Sequence, residues 1–259
     1  METSINNMVV RTRIDGPLFV ITIDRPDARN AVNMAVAQGI AEAMAELDSR
    51  QELKVGVITG AGGNFCAGMD LKAFAKGERP WLTGSGFGGI TEAPPRKPLV
   101  AAVEGFALAG GFEIALACDL IVASRSARFG LPEVKRGLVA AAGGLLRLPR
   151  RLPYHLAMEI ALTGRALTAE DAHGHGLLNL LVEPGQALEA ACKLAREVAE
   201  NAPLAVVASK QLIAGSHTWP TDEMFARQKT LVAPVINSKD ALKGARAFAE
   251  KRAPVWGGC

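Results

Sequence analysis

Between Leu99 and Ala123 almost every residue is apolar or glycine, yet Glu104, Glu113 and Asp119 interrupt the run. A bilayer core does not tolerate three carboxylates without partners, so this stretch belongs in the buried interior of a soluble fold. Leu99-Val100-Ala101-Ala102-Val103 reads as a buried strand running into Gly105. The same pattern occurs twice upstream. Phe19-Val20-Ile21-Thr22-Ile23 stops at Asp24-Arg25-Pro26, and Val55-Gly56-Val57-Ile58-Thr59 runs into Gly60-Ala61-Gly62-Gly63. Between the first two, apolar residues recur at helical spacing from Met34 to Leu47. Strand-plus-helix units at irregular intervals imply stacked layers that bury their apolar faces on one another.

After Leu120-Ile121-Val122-Ala123 and Ala127-Arg128-Phe129 the strand signal fades. Helices are predicted at Tyr154–Leu162, Ala169–His173, Ala187–Ala199, Leu204–Ile213 and Ser238–Phe248, the last with Ser238 as N-cap. Asn201-Ala202-Pro203 marks a hinge, dividing an α/β core (1–200) from a helical tail (201–259). Gly77 to Pro98, rich in glycine and proline, reads as a long surface loop.

The 259 residues are long enough for a sizeable core, and a net charge of +3 with scattered basic residues gives no nucleic-acid footprint. Met1 to Asn7 lacks the features of a secretory leader. Cys66, Cys118, Cys192 and Cys259 have no paired spacing, which fits isolated thiols in a reducing, cytoplasmic setting.

Gly84-Ser85-Gly86-Phe87-Gly88-Gly89 satisfies the dinucleotide fingerprint in letters, but Pro80-Trp81-Leu82 before it does not read as a strand. His173-Gly174-His175 lacks a nearby third metal ligand and reads as a solvated turn. More informative are two glycine turns that follow strands. Phe65-Cys66-Ala67-Gly68-Met69-Asp70-Leu71 and Gly105-Phe106-Ala107-Leu108-Ala109-Gly110-Gly111-Phe112-Glu113 can each leave N–H groups free for an anion. Both could equally be turns needed only for close packing. Glu113 lies in an apolar segment where its pKa would rise, unless it serves only the helix N-terminus. Glu133, taken alone, reads as a solvated loop acid. Together the two acids and two turns suit proton transfer beside an activated carbonyl.

The ordered set of these pieces resembles the enoyl-CoA hydratase/isomerase, or crotonase, superfamily over nearly the whole chain. It runs from Arg25-Pro26-Asp27-Ala28-Arg29-Asn30-Ala31 through both glycine turns to Phe129-Gly130-Leu131-Pro132-Glu133, Gly143-Gly144, Leu162-Thr163-Gly164-Arg165 and Ala247-Phe248-Ala249-Glu250-Lys251-Arg252. The resemblance implies an α/β fold, a spiral of ββα units with a C-terminal helical trimerisation region. It implies a homotrimer or a dimer of trimers, no membrane contact, and no metal or separate cofactor, coenzyme A being part of the substrate. It also implies reversible syn addition of water across the 2,3 double bond of a 2-enoyl-CoA. The Met69 and Gly110 amides would form the oxyanion hole, with Glu113 and Glu133 as the catalytic acids and bases. CoA would lie along Arg29, Ala31, Ala67, Asp70, Leu71 and Lys72, with Phe248 and Lys251 supplied by the adjacent subunit.

The chain departs from the family where Ala140-Ala141-Ala142 precedes Gly143-Gly144 in place of Pro-Gly or Pro with an acid. Ala141 also excludes the nucleophilic aspartate of dehalogenase relatives. Gly86-Phe87-Gly88-Gly89-Ile90-Thr91-Glu92, Gly110 to Ala117 and the tail Phe248 to Trp256 lean toward the carnitinyl-CoA dehydratase branch. The alternatives are a crotonobetainyl-CoA hydratase, an enoyl-CoA isomerase, a non-catalytic acyl-CoA binder and, last, an RNA-binding relative.

Overall fold

The structure, a computed structural model, describes residues 6–7 and 9–259, so most of the Met1–Asn7 segment lies outside the described residues. Strands β1 (Asn6–Asn7), β2 (Val10–Asp15) and β3 (Leu18–Ile23) lead to helix α1 (Met34–Ser49) and β4 (Val55–Gly60). The short α2 (Leu71–Ala75) precedes a hairpin of β5 (Trp81–Leu82) and β6 (Gly86–Phe87). Then come β7 (Leu99–Val103), β8 (Phe106–Leu108), α3 (Gly110–Ala117), β9 (Leu120–Ser124) and β10 (Arg128–Gly130). After α4 (Gly144–Arg147), α5 (Tyr154–Thr163), β11 (Ala166–Thr168), α6 (Ala169–Gly174) and β12 (Leu180–Val182), the chain ends in helices. These are α7 (Ala187–Ala199), α8 (Pro203–Ser216), α9 (Met224–Ile236) and α10 (Lys239–Ala249).

The large sheet has the order β1-β2-β3-β4-β7-β9-β12, parallel from β3 onward, and a smaller sheet has the order β11-β10-β8. Each turn of the spiral gives one strand to each sheet: β7 then β8, β9 then β10. Side-chain alternation explains why the strands read as continuous apolar runs, since both faces of the sheet are covered. Phe19, Ile21, Ala101, Val103 and Ile121 pack with Val36, Ile40 and Met44 of α1 and with Phe112 of α3. Leu18, Val20, Val100, Ala102 and Val122 face Ala191, Cys192 and Ala195 of α7.

The three carboxylates in the apolar stretch have separate fates. Glu104 accepts from Gly185 N and Ala187 N at the start of α7, both at 3.0 Å. Asp119 accepts from Leu99 N at 2.8 Å and pairs with Lys210 of α8 at 2.6 Å. Glu113 goes to the site described below.

Three expectations need correcting. The sheet continues beyond Phe129, because β11 and β12 add short strands whose pairing partners, not their own composition, define them. The stretch from Gly77 to Pro98 is not wholly a surface loop: β5 and β6 pair, and Gly86 to Thr91 are buried. A further helix, α9, was masked in the sequence by Pro234 within it and by its polar residues; none of its residues is buried within this chain.

Candidate active site

The two glycine turns are fastened to each other through backbone bonds. Cys66 bridges Ala107 of β8, with Cys66 N donating to Phe106 O at 2.8 Å and Leu108 N to Cys66 O at 3.0 Å. Val32 bridges Met69, with Val32 N donating to Gly68 O at 2.8 Å and Asp70 N to Val32 O at 2.9 Å. Because backbone groups alternate along an extended strand, that bridge leaves the Met69 N–H facing the other way.

On the second turn Ala109 N donates to Gly130 O at 2.8 Å, and Ala109 is held at a φ of 52°, strain that a non-glycine residue tolerates only when its surroundings impose it. Gly110 opens α3, so its N–H has no intrahelical acceptor. Among the described residues neither the Met69 nor the Gly110 amide donates to any acceptor.

Glycine is required where the turns touch. Gly68 has a φ of 99°, and a Cβ there would lie 2.6 Å from Ala109 Cβ and 3.2 Å from Gly110 N. A Cβ on Gly111 would collide with the Cys66 carbonyl oxygen. The two unpartnered amides therefore sit on turns held in contact with no room for a side chain between them, as paired donors to one oxyanion would require.

Glu113, in the first turn of α3, is 3% exposed. Its Oε1 accepts from Ala142 N and Gly144 N, both at 2.8 Å, which leaves Oε2 for a water. Burial pushes its pKa above the ordinary carboxylate value, although those amides and Arg147 pull the other way. Ala142 thus meets the need at its position through the backbone, and Ala140 and Ala142 pack in the core.

The expectation that Glu133 is a solvated loop acid is overturned. It sits in the single helical turn Pro132–Arg136, and its Oε2 is buried without a partner. Burial, aided by the charge of Glu113 and opposed by its own backbone amide and Arg136, pushes its pKa up to about 7.

Arg29, Ala31, Ala67, Asp70, Leu71 and Lys72 lie in two segments joined by Ala67 N donating to Arg29 O at 3.0 Å. Arg29, Leu71 and Lys72 are exposed. The Asp70 carboxylate is committed within the chain: it caps α2 through Lys72 N and Ala73 N and pairs with Arg25 at 2.9 Å. Burial alone would raise its pKa, but the Ala73 amide and Arg25 hold it below the ordinary value. Phe248 and Lys251 are exposed at the end of α10, and no hydrogen bond or ion pair among the described residues joins them to this rim.

The fingerprint-like glycines form the β5–β6 hairpin, not a helix N-terminus, and His173 and His175 are exposed. Among the described residues no group of acids, histidines and cysteines could hold a metal. No helix among them is long and apolar enough to cross a membrane. A cavity of about 520 Å³ lies at the other end of the strands, lined by residues such as Leu53, Lys97, Val206 and Leu231, and includes neither glutamate. Sequence reasoning offered Phe87, with Trp81, as a loop aromatic but not its place against Gly110, where its ring fills the space a Cβ would need, and it missed Arg147, whose charge acts on Glu113.

Residues 13–259 match the family model for enoyl-CoA hydratase/isomerase. The chain belongs to that family. It is 43% identical over 252 residues to the carnitinyl-CoA dehydratase of Salmonella typhi, covering 94% of this chain and 96% of that one. An enoyl-CoA hydratase from Mycobacterium tuberculosis superposes with a TM-score of 0.95 at 58% identity, covering 97% and 99% of the two chains. A carnitinyl-CoA hydratase from Mycobacterium avium gives 0.78 at 44% identity, again over 97% and 99%. The crotonase fold expected from the sequence is thus the fold of this family member.

Proposed function

We infer that this family member is an enoyl-CoA hydratase, a hydro-lyase that reversibly adds water across the 2,3 double bond of a 2-enoyl-CoA. The observation that carries the reading is the pair of unpartnered amides on interlocked turns beside the buried Glu113, with the half-buried Glu133 near enough for the two acids' charges to interact. The Met69 and Gly110 amides would accept the charge that develops on the thioester oxygen, so they stabilise the transition state more than the ground state. Glu113 Oε2 takes a proton from water as its oxygen bonds to Cβ; the electron pair moves onto the thioester oxygen, and Glu133, protonated, returns a proton to Cα. The resting state is restored when Glu113 passes its proton on and Glu133 regains one. A Glu133 pKa of about 7 suits this exchange at neutral pH.

Two partly buried acids beside the oxyanion site favour hydration over isomerisation, which needs only one. The Ala142 amide on Glu113 favours catalysis over passive acyl-CoA binding. A crotonobetainyl-CoA substrate is the second reading, favoured by the 43% identity to a carnitinyl-CoA dehydratase. Against it, a quaternary ammonium needs several open aromatic faces, whereas Phe87 is 1% exposed and packs edge-on with Trp81, ring centres 4.9 Å apart, which leaves only Trp81 of this pair exposed.

The chain further fits a trimer or a dimer of trimers. Phe225, Phe248 and Ile236 on α9 and α10 are 74%, 87% and 66% exposed and await cover. Phe248 and Lys251 would then reach the CoA of a neighbouring subunit, with residues 201–259 as the assembling unit.

Loss of conjugated thioester absorbance, followed with short, long and crotonobetainyl CoA esters, tests the reading. Glu133→Gln should cost at least about a hundredfold in turnover while leaving CoA binding near wild type. Full activity in that variant would overturn the mechanism, and the best ester names the substrate class.

A further inference from the structure

The short α4 turn touches Glu113 through one amide and carries a guanidinium whose charge acts on that acid without a direct bond to it. Gly144 N donates to Glu113 Oε1 at 2.8 Å, and Arg147 folds back over Gly143 so closely that a Cβ on Gly143 would collide with Arg147 Nη1. From there Arg147 Nη2 donates to the Thr91 carbonyl at 2.6 Å. Thr91 ends the buried run from Gly86 that carries Phe87 against Gly110. One half-buried guanidinium therefore stands between the base and the segment that backs an oxyanion donor.

We propose that Arg147 is a positioning residue for hydration: its charge steadies the Glu113 carboxylate while its fork fixes the Gly86 to Thr91 wall through the Thr91 carbonyl. The charged and titratable groups around the pair are few. Glu113 faces Arg147 and Glu133. Arg147 faces Glu113, Cys118 and Arg150, with Arg151, Asp119 and Lys210 around Cys118. Burial pushes the Cys118 thiol up to about 12, so it stays neutral across the working range, and the guanidinium groups stay charged. Glu133, at about 7, is placed to exchange a proton near neutral pH, and burial moves Glu113 in the same direction.

Only the kinetic arm of the test rests on the hydratase reading. Infrared difference spectra of the full chain follow the protonated Glu113 carbonyl band, assigned by its loss in Glu113→Gln, and need no substrate. In Arg147→Met its titration midpoint should rise above the wild-type position, by less than the Gly144 and Ala142 amides contribute, since the guanidinium acts on Glu113 through charge alone. In Arg147→Lys, which keeps the charge, it should return to the wild-type position. Arg147→Gln, with a donor but no charge, makes the same test should the Met variant not fold.

In turnover of an enoyl-CoA, Arg147→Lys should raise KM roughly fivefold, the equivalent of one hydrogen bond, and more than it changes kcat. A lowered melting temperature with an unmoved midpoint and unmoved KM would mean that Arg147 only holds the fold, and would overturn the proposal. If the wild-type chain hydrates no ester, the hydratase reading fails, and the infrared midpoints still decide the role of the charge.

Discussion

Around the two glycine turns nearly every group is fixed from within the chain, whereas α8 to α10 leave much of their apolar surface uncovered. At the turns, Cys66, Val32 and Gly130 hold the backbone through ladder bonds, and Gly68, Gly110 and Gly111 leave no space for adjustment. In the tail, α9 buries none of its residues within this chain, and the last residues are held by a clamp: Asp240 accepts from Gly257 N at 2.8 Å and Gly258 N at 2.6 Å. On the proposed reading the turns hold the oxyanion donors, which must not reorganise as charge develops, and the rigidity found there fits that need. The proposed assembly would order the tail surface through a partner instead.

The contrast can be broken most severely at Gly111. Gly111→Ala would drive a methyl group into the Cys66 carbonyl, which cannot retreat without losing its bond to Leu108. We expect a stability loss of about 3 kcal/mol in thermal melts and at least a hundredfold lower turnover, as for a displaced oxyanion donor. Wild-type turnover would mean that the two turns are not interlocked. In the tail, Phe225→Asp should leave the core's melting transition in place while sedimentation shifts toward monomer. An unchanged sedimentation coefficient would place the interface elsewhere.

Asp240→Asn sharpens the comparison more gently. Losing a carboxylate that takes two amides and Lys243 should cost about 1 kcal/mol, read as a lower melting temperature. Because the Gly257 amide leads the groups that hold Asp240 below its ordinary pKa, its contribution is present above the unfolded value and fades as pH falls through the folded one.

On stability the effect of Glu133 is of similar size, and its sign is opposite. Its folded pKa of about 7 lies above the ordinary value of 4.5, so the wild type loses stability as pH rises from the lower value to the upper. Glu133→Gln should match wild type in melting temperature near pH 4 and overtake it by pH 8, by about 1 kcal/mol after allowing for partial solvent screening. Parallel melting curves across that range would contradict the burial of its free oxygen.

Much of the frame was legible in the residues themselves. The continuous apolar runs at Phe19–Ile23, Val55–Thr59 and Leu99–Val103 are strands because both faces of each find cover, and Ser238 caps α10 by accepting from Ala241 N. The resemblance named Met69, Gly110, Glu113 and Glu133, and the structure brings the first three to interlocked turns and their cradle. What the residues hid was anything defined by a distant partner. β11 and β12 exist through pairing, and Glu133 reads as solvated until its neighbours bury it. Arg147 looks like any basic residue until Gly143 lets it fold back to the Thr91 carbonyl, from where its charge acts on Glu113.

The sequence by itself determined where backbone could bend and which faces must be buried, because glycine freedom and side-chain alternation are local properties. The tertiary structure alone decided which amides converge, that Ala142 serves Glu113 through its backbone, and how far Glu133 is lifted. Those depend on desolvation and on charges far away in the chain, and no single stretch of residues carries either.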